Sequence, residues 1–225
     1  RGLATDGMVY AAMRTPQGKY LAAFCLVADG ADVLVDVAAA LSDDLFKRLS
    51  MYKLRAPVTL TREGMAVSRG TVPMPAGALP DPRHPALGWR IYGRALPDDG
   101  TDWDGLRVAH CVPESGIELR PDETFILEAG FERLNGVDFH KGCYVGQEVT
   151  ARMHHKTTLR KGLATVAVDG KTSSNTPIEA DGKAVGTLLT QANGHAIAYL
   201  RFDRVVDAMQ AGSATVFAPD MARND

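Results

Sequence analysis

The last third of the chain constrains the fold most strongly, because turn residues divide it into short apolar runs. Gly, Asn and Asp separate these runs, which lie at Gly162–Val168, Ile178–Ala180, Ala184–Leu189, His195–Leu200 and around Val216. Short strands at this spacing are typical of a small antiparallel barrel or sandwich. The pattern changes near Arg160, so we predict a first domain at 1–160 and a C-terminal β-barrel domain at 161–225.

The first part of the chain predicts a mixed α+β region. Two apolar runs, Met8–Arg14 and Tyr20–Ala28, flank Thr15-Pro16-Gln17-Gly18, which suits a hairpin turn. A third strand is predicted at Asp32–Val37, and Ser42 is expected to cap a helix that ends near Leu54. Further predicted elements are strands at Val58–Thr61, Met65–Arg69 and Gly88–Tyr92 and a helix at Asp102–Val112. The predicted fold class is therefore α+β, with an irregular stretch at 113–141.

Composition and charge argue against several classes of function. The net charge of −2 gives no global electrostatic reason to bind nucleic acid. No apolar run approaches the ~20 residues of a membrane-spanning helix. The three cysteines, Cys25, Cys111 and Cys143, are too few and too dispersed for a disulfide framework, which favours a reducing compartment such as the cytoplasm. Three thiolates also cannot supply the four ligands of an iron–sulfur cluster.

The run Lys141-Gly142-Cys143-Tyr144-Val145-Gly146 is the most suggestive candidate for chemistry. Val145, Val149 and Met153 have helical spacing, so Cys143 is expected just before a helix or in its first turn. The amide groups of a helix N-terminus and nearby cations stabilise a thiolate. Cys143 and Lys141 are therefore candidate catalytic residues. The alternative, a small buried cysteine that fills a turn, is equally compatible with the sequence.

Metal binding and nucleic-acid binding have weaker support in this region. His140 and Cys143 lie three residues apart, but neither a CxxC nor an HExxH pattern accompanies them. The basic residues that follow have no aromatic neighbours after Tyr144 on which bases could stack. A solvated face or a clamp for a small anion is the simpler interpretation.

Several motifs together resemble the YgfZ family of folate-binding proteins, which are related to the T-protein (aminomethyltransferase) of the glycine-cleavage system. The matching stretches are Lys141-Gly142-Cys143-Tyr144-Val145-Gly146-Gln147-Glu148, Ala151-Arg152, Thr15-Pro16-Gln17-Gly18-Lys19, Tyr52-Lys53-Leu54-Arg55, Asp81-Pro82-Arg83, Leu87-Gly88-Trp89-Arg90 and Leu127-Glu128-Ala129-Gly130. The resemblance implies a folate-binding α+β region before a β-barrel, with tetrahydrofolate in a central hole. It also implies a role in assembling or repairing iron–sulfur clusters in client enzymes, including a tRNA-modifying one. Members usually have more sequence before the hairpin, so we expect the natural chain to extend upstream of Arg1.

The residues near these motifs include groups that a folate needs. Glu128 can accept hydrogen bonds from the pterin ring, and Tyr144 or Phe139 can form its wall. Arg152 or Lys141 can bind the anionic glutamate tail. The expected partners are folate and iron–sulfur client enzymes, without direct contact to nucleic acid or membrane, and the chain is expected to be a monomer. The expected location is the cytoplasm, or the mitochondrial matrix in a eukaryote.

Two other functions remain open from the sequence. One is a folate-dependent one-carbon transferase like the T-protein, although the catalytic aspartate of that family has no clear match here. The cysteine of the Lys141–Glu148 stretch is also absent from the T-protein pattern. The other is a nucleic-acid-binding module, whose affinity would fall steeply with salt.

Overall fold

The computed structural model describes residues 2–156 and 159–219. Within these ranges the helices are α1 (Leu3–Asp6), α2 (Ala39–Tyr52), α3 (Trp103–Ala109) and α4 (Gln147–Lys156). The strands are β1 (Met8–Arg14), β2 (Tyr20–Asp29), β3 (Asp32–Val37), β4 (Val67–Gly70), β5 (Leu79–Pro80), β6 (Trp89–Tyr92), β7 (Lys161–Asp169), β8 (Thr176–Ala180), β9 (Lys183–Ala192), β10 (His195–Arg201), β11 (Ala208–Ala211) and β12 (Ala214–Phe217). Short 3-10 turns occur at Pro85–Leu87 and Phe202–Arg204. The predicted α+β class is confirmed.

The C-terminal strands close into an antiparallel barrel in the order β10-β7-β12-β11-β8-β9. Alternate side chains of β7 point inward, so Ala164, Val166 and Val168 pack in the barrel core. The predicted barrel is confirmed. Strand β11 was not predicted, because its Ala-Met-Gln-Ala sequence has little β-propensity of its own.

The chain divides into two compact units. One comprises residues 1–13 and 22–101, and it contains α2, β3 and the sheet of order β4-β6-β5. The other comprises residues 14–21 and 102–225, and it contains α3, α4 and the barrel. The domain boundary predicted near residue 160 stays a prediction. Among the described residues, no helix combines the length and apolarity needed to cross a bilayer.

A buried ionic network explains two of the recognised motifs in the first unit. Asp81 accepts hydrogen bonds from the side chains of Arg83 and Arg90, at 2.7–3.0 Å, and Arg90 also pairs with Asp36 at 2.9 Å. Burial opposes ionisation of Asp81, but the hydrogen bonds and charges of both arginines outweigh it and lower the pKa of its carboxyl. The Asp-Pro-Arg and Leu-Gly-Trp-Arg stretches therefore meet in one buried network of paired charges.

The boundaries of several elements differ from prediction. Helix α2 begins at Ala39, so Ser42 lies inside it, and Ala38 at the N-cap makes no side-chain capping bond. Alanine and leucine are strong helix formers, which lets the helix start earlier than the nearest capping residue. Residues 58–61 form no strand, and the strand predicted at Met65–Arg69 is β4, which pairs with β6. The third strand, Asp32–Val37, is confirmed.

Candidate functional site

A cavity of about 270 Å³ lies beside the barrel, within the second unit. It is lined by Ile117, Glu118, Arg120, Glu123, Thr124, Glu128, Ala129, Leu163, Thr187, Leu189 and Tyr199. The lining combines apolar side chains with carboxylate, hydroxyl and guanidinium groups, which is a mixture found in small-molecule sites. The volume is just below the ~300–1,000 Å³ usual for drug-sized ligands, so it suits a bicyclic ring better than an entire folate.

Glu128 is the predicted site residue that lines this cavity. Its Oε2 accepts a hydrogen bond of 2.7 Å from the hydroxyl of Tyr199 on β10. Its backbone carbonyl accepts from the amide of Leu163 on β7 at 2.8 Å. The barrel therefore holds both the backbone and the side chain of Glu128.

A second, fully buried carboxylate supports one wall of the cavity. Glu118 Oε2 lies 3.0 Å from Nη1 of Arg107, and it also accepts a hydrogen bond of 2.9 Å from the amide of Glu114. Arg107 is buried as well, and its guanidinium donates to Thr190 on β9 at 3.1 Å. Since a buried charge is costly unless it is paired and hydrogen-bonded, Glu118 is satisfied by protein groups. This leaves Glu128 as the carboxylate better suited to bind a ligand.

The cysteine motif lies in a loop before α4, as the helical spacing predicted. The helix begins at Gln147, so Cys143 lies four residues before it and is exposed. Gln147 Oε1 accepts a hydrogen bond of 3.1 Å from the amide of Tyr144, which closes the loop onto the helix. The alternative that Cys143 is a buried turn residue is therefore wrong.

Two cations flank Tyr144 beside the exposed thiol. The guanidinium carbon of Arg14 lies 4.7 Å from the ring centroid, and Lys141 Nζ lies 4.8 Å from it. Arg14 also donates to the buried hydroxyl of Thr150 on α4. Neither cation forms a salt bridge with any carboxylate in the described part of the chain. Arg14 and Lys141 therefore both lie against the ring of Tyr144, the residue that follows Cys143 in the loop.

The other two predicted residues have local partners on or near α4. Phe139 stacks on His154 with ring centroids 4.0 Å apart. Arg152 pairs with Glu148 at 2.8 Å, one helical turn away on an exposed face. The structure thus brings Lys141 and Tyr144 together near Cys143. Of the six predicted site residues, only Glu128 lines the cavity.

Some residues of the site could not be identified from the sequence. Tyr199 faces outward because its neighbours Ala198 and Leu200 point into the barrel. The predicted strand at His195–Leu200 implies this alternation of inward and outward side chains. It does not indicate which residue Tyr199 contacts. Arg14 and Thr150 are 136 positions apart, and no local pattern signals their contact. In the described ranges, no cluster of three or more His, Cys, Asp or Glu side chains could hold a metal ion.

Comparison with solved structures identifies the class of fold. The chain is similar to the glycine cleavage system aminomethyltransferase T from Bartonella henselae, with a TM-score of 0.72 over 98% of this chain and 76% of that protein. The sequence identity is 11%, so the likeness shows the fold alone. The chain therefore has the aminomethyltransferase fold.

Sequence comparison points to particular relatives. Residues 160–224 match the family model of the CAF17 C-terminal β-barrel domain. The chain is 32% identical over 194 residues to the mitochondrial iron–sulfur cluster assembly factor IBA57 of Mus musculus, a match that covers 75% of this chain and 52% of the relative. The Homo sapiens protein of the same name is 32% identical over 184 residues, covering 68% of this chain and 52% of the relative. The chain thus spans about half the length of these curated relatives.

Proposed function

We propose that this chain is a tetrahydrofolate-binding accessory protein for the assembly or repair of iron–sulfur clusters in client enzymes, including tRNA-modifying ones. The observation that supports the cluster role most directly is the similarity to IBA57 assembly factors over 75% of the chain. The exposed thiol of Cys143, in its cationic loop, is the group best suited to contact sulfur or iron during cluster handling. One thiolate cannot hold a cluster alone, so a client or carrier must supply the other ligands.

Three features of the cavity fit the pterin ring of a folate. Glu128 provides a carboxylate acceptor, Leu163 and Leu189 provide apolar wall, and the volume suits a bicyclic ring. When bound, tetrahydrofolate would supply a carrier for one-carbon units. The chain's own residues would bind and orient the ring and exclude water from it. The glutamate tail would leave the cavity, because glutamates outnumber its one arginine.

Calorimetry with tetrahydrofolate tests the ligand. Replacing Glu128 with Ala should weaken binding by about 2 kcal/mol, because a hydrogen bond to a charged group is lost. The matched control is Glu179→Ala, since Glu179 is an exposed barrel residue outside the cavity. Unchanged affinity in a folded Glu128→Ala protein would remove Glu128 from the site.

A pull-down tests the cluster role. Tagged wild-type chain should co-purify with iron–sulfur enzymes, and Cys143→Ser should recover fewer of them with less bound iron and sulfide. Met51→Ser is the control, because Met51 is exposed on α2 in the other unit. Equal recovery by wild type and Cys143→Ser would contradict a role for the thiol. Turnover of tetrahydrofolate to a one-carbon derivative would instead support the transferase.

Composition and the relatives bear on where the chain acts and what it contacts. We expect the chain to act as a monomer in a reducing compartment, the cytoplasm or the mitochondrial matrix, and to contact clients rather than nucleic acid or membrane. The net charge of −2 favours protein over nucleic-acid partners. The relatives named above are mitochondrial proteins.

A further inference from the structure

The barrel supplies part of the wall of the Glu128 cavity. Leu163 comes from β7, Thr187 and Leu189 from β9, and Tyr199 from β10. Strand β7 and the segment that carries Glu128 approach closely at Gly162, where an added Cβ would lie 3.0 Å from the carbonyl oxygen of Glu128. The barrel is therefore built into the site, and its outward-facing residues are candidates for a role in ligand recognition.

Tyr199 is the barrel residue that contacts the proposed ligand-binding group directly. Its hydroxyl donates to Glu128 Oε2 at 2.7 Å. Burial raises the pKa of the Tyr199 phenol, and the hydrogen bond and charge of Glu128 raise it further. The phenol is therefore a protonated donor throughout the neutral range.

The contact leaves the two oxygens of Glu128 unequal. Oε2 already accepts from Tyr199, whereas Oε1 makes no hydrogen bond to any described residue. A carboxylate held at one oxygen cannot rotate freely, so the other oxygen is presented in a defined position. Such an acceptor suits a ligand edge that carries N–H donors in a fixed geometry.

The charges around the cavity favour the same kind of ligand edge. Its ionisable residues besides Tyr199 are Glu118, Glu123, Glu128 and Arg120. Arg107 pairs with Glu118, and Arg120 lies 4.0 Å from Glu123. Among the described residues, Glu128 has no salt-bridge partner, so donors are favoured beside it and anions are not.

We propose that Tyr199 is a positioning residue that fixes the Glu128 carboxylate for the 2-amino edge of a pterin. This inference rests on the proposed folate function. The 2-amino-4-oxopteridine ring presents an amino group and a ring N–H on one edge, which a fixed carboxylate can bind. Tyr199 acts through Glu128 and need not touch the ligand.

Binding measurements with two ligands test the role of Tyr199. The probes are tetrahydrofolate and its 2-desamino analogue, titrated into wild type, Tyr199→Phe and the control Tyr52→Phe, whose ring is exposed on α2. Tyr199→Phe should bind tetrahydrofolate about three- to tenfold more weakly, the range expected for one neutral donor. The desamino analogue should bind weakly and equally to all three proteins. The positioning role would be overturned if Tyr199→Phe lost the same affinity for both ligands, or if it lost no affinity for tetrahydrofolate.

A ligand-free measurement tests the contact itself. In wild type, the ¹³Cζ resonance of Tyr199 should titrate at higher pH than in Glu128→Gln, because the charge that disfavours tyrosinate is removed. Identical titration in both proteins would overturn the proposal without reference to folate. If the titrations differ but wild type binds neither pteridine, the contact between Tyr199 and Glu128 is present but the folate function is wrong. The proposed role of Tyr199 in ligand binding is then wrong as well. Normal tetrahydrofolate binding by Tyr199→Phe would overturn only the role of Tyr199.

Discussion

At the scale of single residues, the three cysteines show how surroundings determine chemistry. Cys143 is exposed in a loop that also carries Lys141, whereas Cys25 and Cys111 are buried. Burial raises the pKa of Cys25 and of Cys111 to about 11 in each case. Because the thiolate is the nucleophile, only about one molecule in a thousand would be reactive at either buried site at pH 8.

We therefore predict that iodoacetamide at pH 8 modifies Cys143 in the native protein and leaves Cys25 and Cys111 intact. Mass spectrometry of digested samples taken over time gives the rate at each site. Cys143→Ser is the control, and it should leave no fast-reacting thiol until urea unfolds the chain. Rapid native-state labelling of Cys25 or Cys111 would contradict the assignment of both as inert core residues.

At the scale of elements, the contact between the hairpin turn and the cysteine loop imposes a tight packing constraint at Gly146. Gly146 lies against the turn, and a Cβ there would be 2.7 Å from the carbonyl oxygen of Thr15 and 3.2 Å from Gly18. Its φ of +78° is also unfavourable for other residues. Two motifs separated by more than a hundred positions thus share one close backbone contact.

Replacing Gly146 with Ala should lower the free energy of unfolding by about 1–3 kcal/mol, because positive-φ strain and a backbone clash combine. Urea denaturation followed by circular dichroism measures the change. Gly116→Ala separates the two causes, since Gly116 has a φ of +87° and open space around it. Gly142→Ala should be close to neutral, because nothing lies near it. If Gly146→Ala lowers the free energy of unfolding no more than Gly116→Ala does, the contact between Gly146 and the turn is not tight.

The sequence predicted those elements whose signals are local. The hairpin, β3, α4 and the barrel strands other than β11 follow from apolar periodicity and turn residues, and the structure contains them. The Ser42 cap failed because helix formers upstream extended α2 to Ala39. The Tyr199–Glu128 bond spans 71 positions, so it depends on how the barrel docks and not on any local pattern. Glu128 itself was identified by resemblance to a motif, not by periodicity.

At the scale of the whole molecule, the segment before the barrel covers part of the outer surface of the barrel. Val108 lies in the last turn of α3, and Cys111 lies two residues after that helix. Both pack against Leu189 and Ile197 on the outside of the barrel. Thr165 on β7 donates to the carbonyl of Val108 at 2.6 Å. These contacts lie within the unit formed by residues 14–21 and 102–225.

Independent folding of the barrel depends on the segment that covers Leu189 and Ile197. A fragment of residues 161–225 would expose Leu189 and Ile197, which are 5% and 0% exposed in the chain. Exposing two such side chains costs roughly 3–6 kcal/mol, which is comparable to the ~5–15 kcal/mol stability of a whole domain. A fragment of residues 102–225 retains their cover and should unfold cooperatively on heating.

Thermal melts followed by circular dichroism, with dye binding to detect exposed apolar surface, compare the two fragments. The shorter fragment should melt at least 10 °C lower, since each 1 kcal/mol shifts the midpoint of a domain this small by about 4–8 °C. It should also bind more dye, because the cluster around Ile197 is uncovered. Equal melting points would instead support an autonomous barrel domain that begins near residue 160, since the covering segment would then contribute little to its stability.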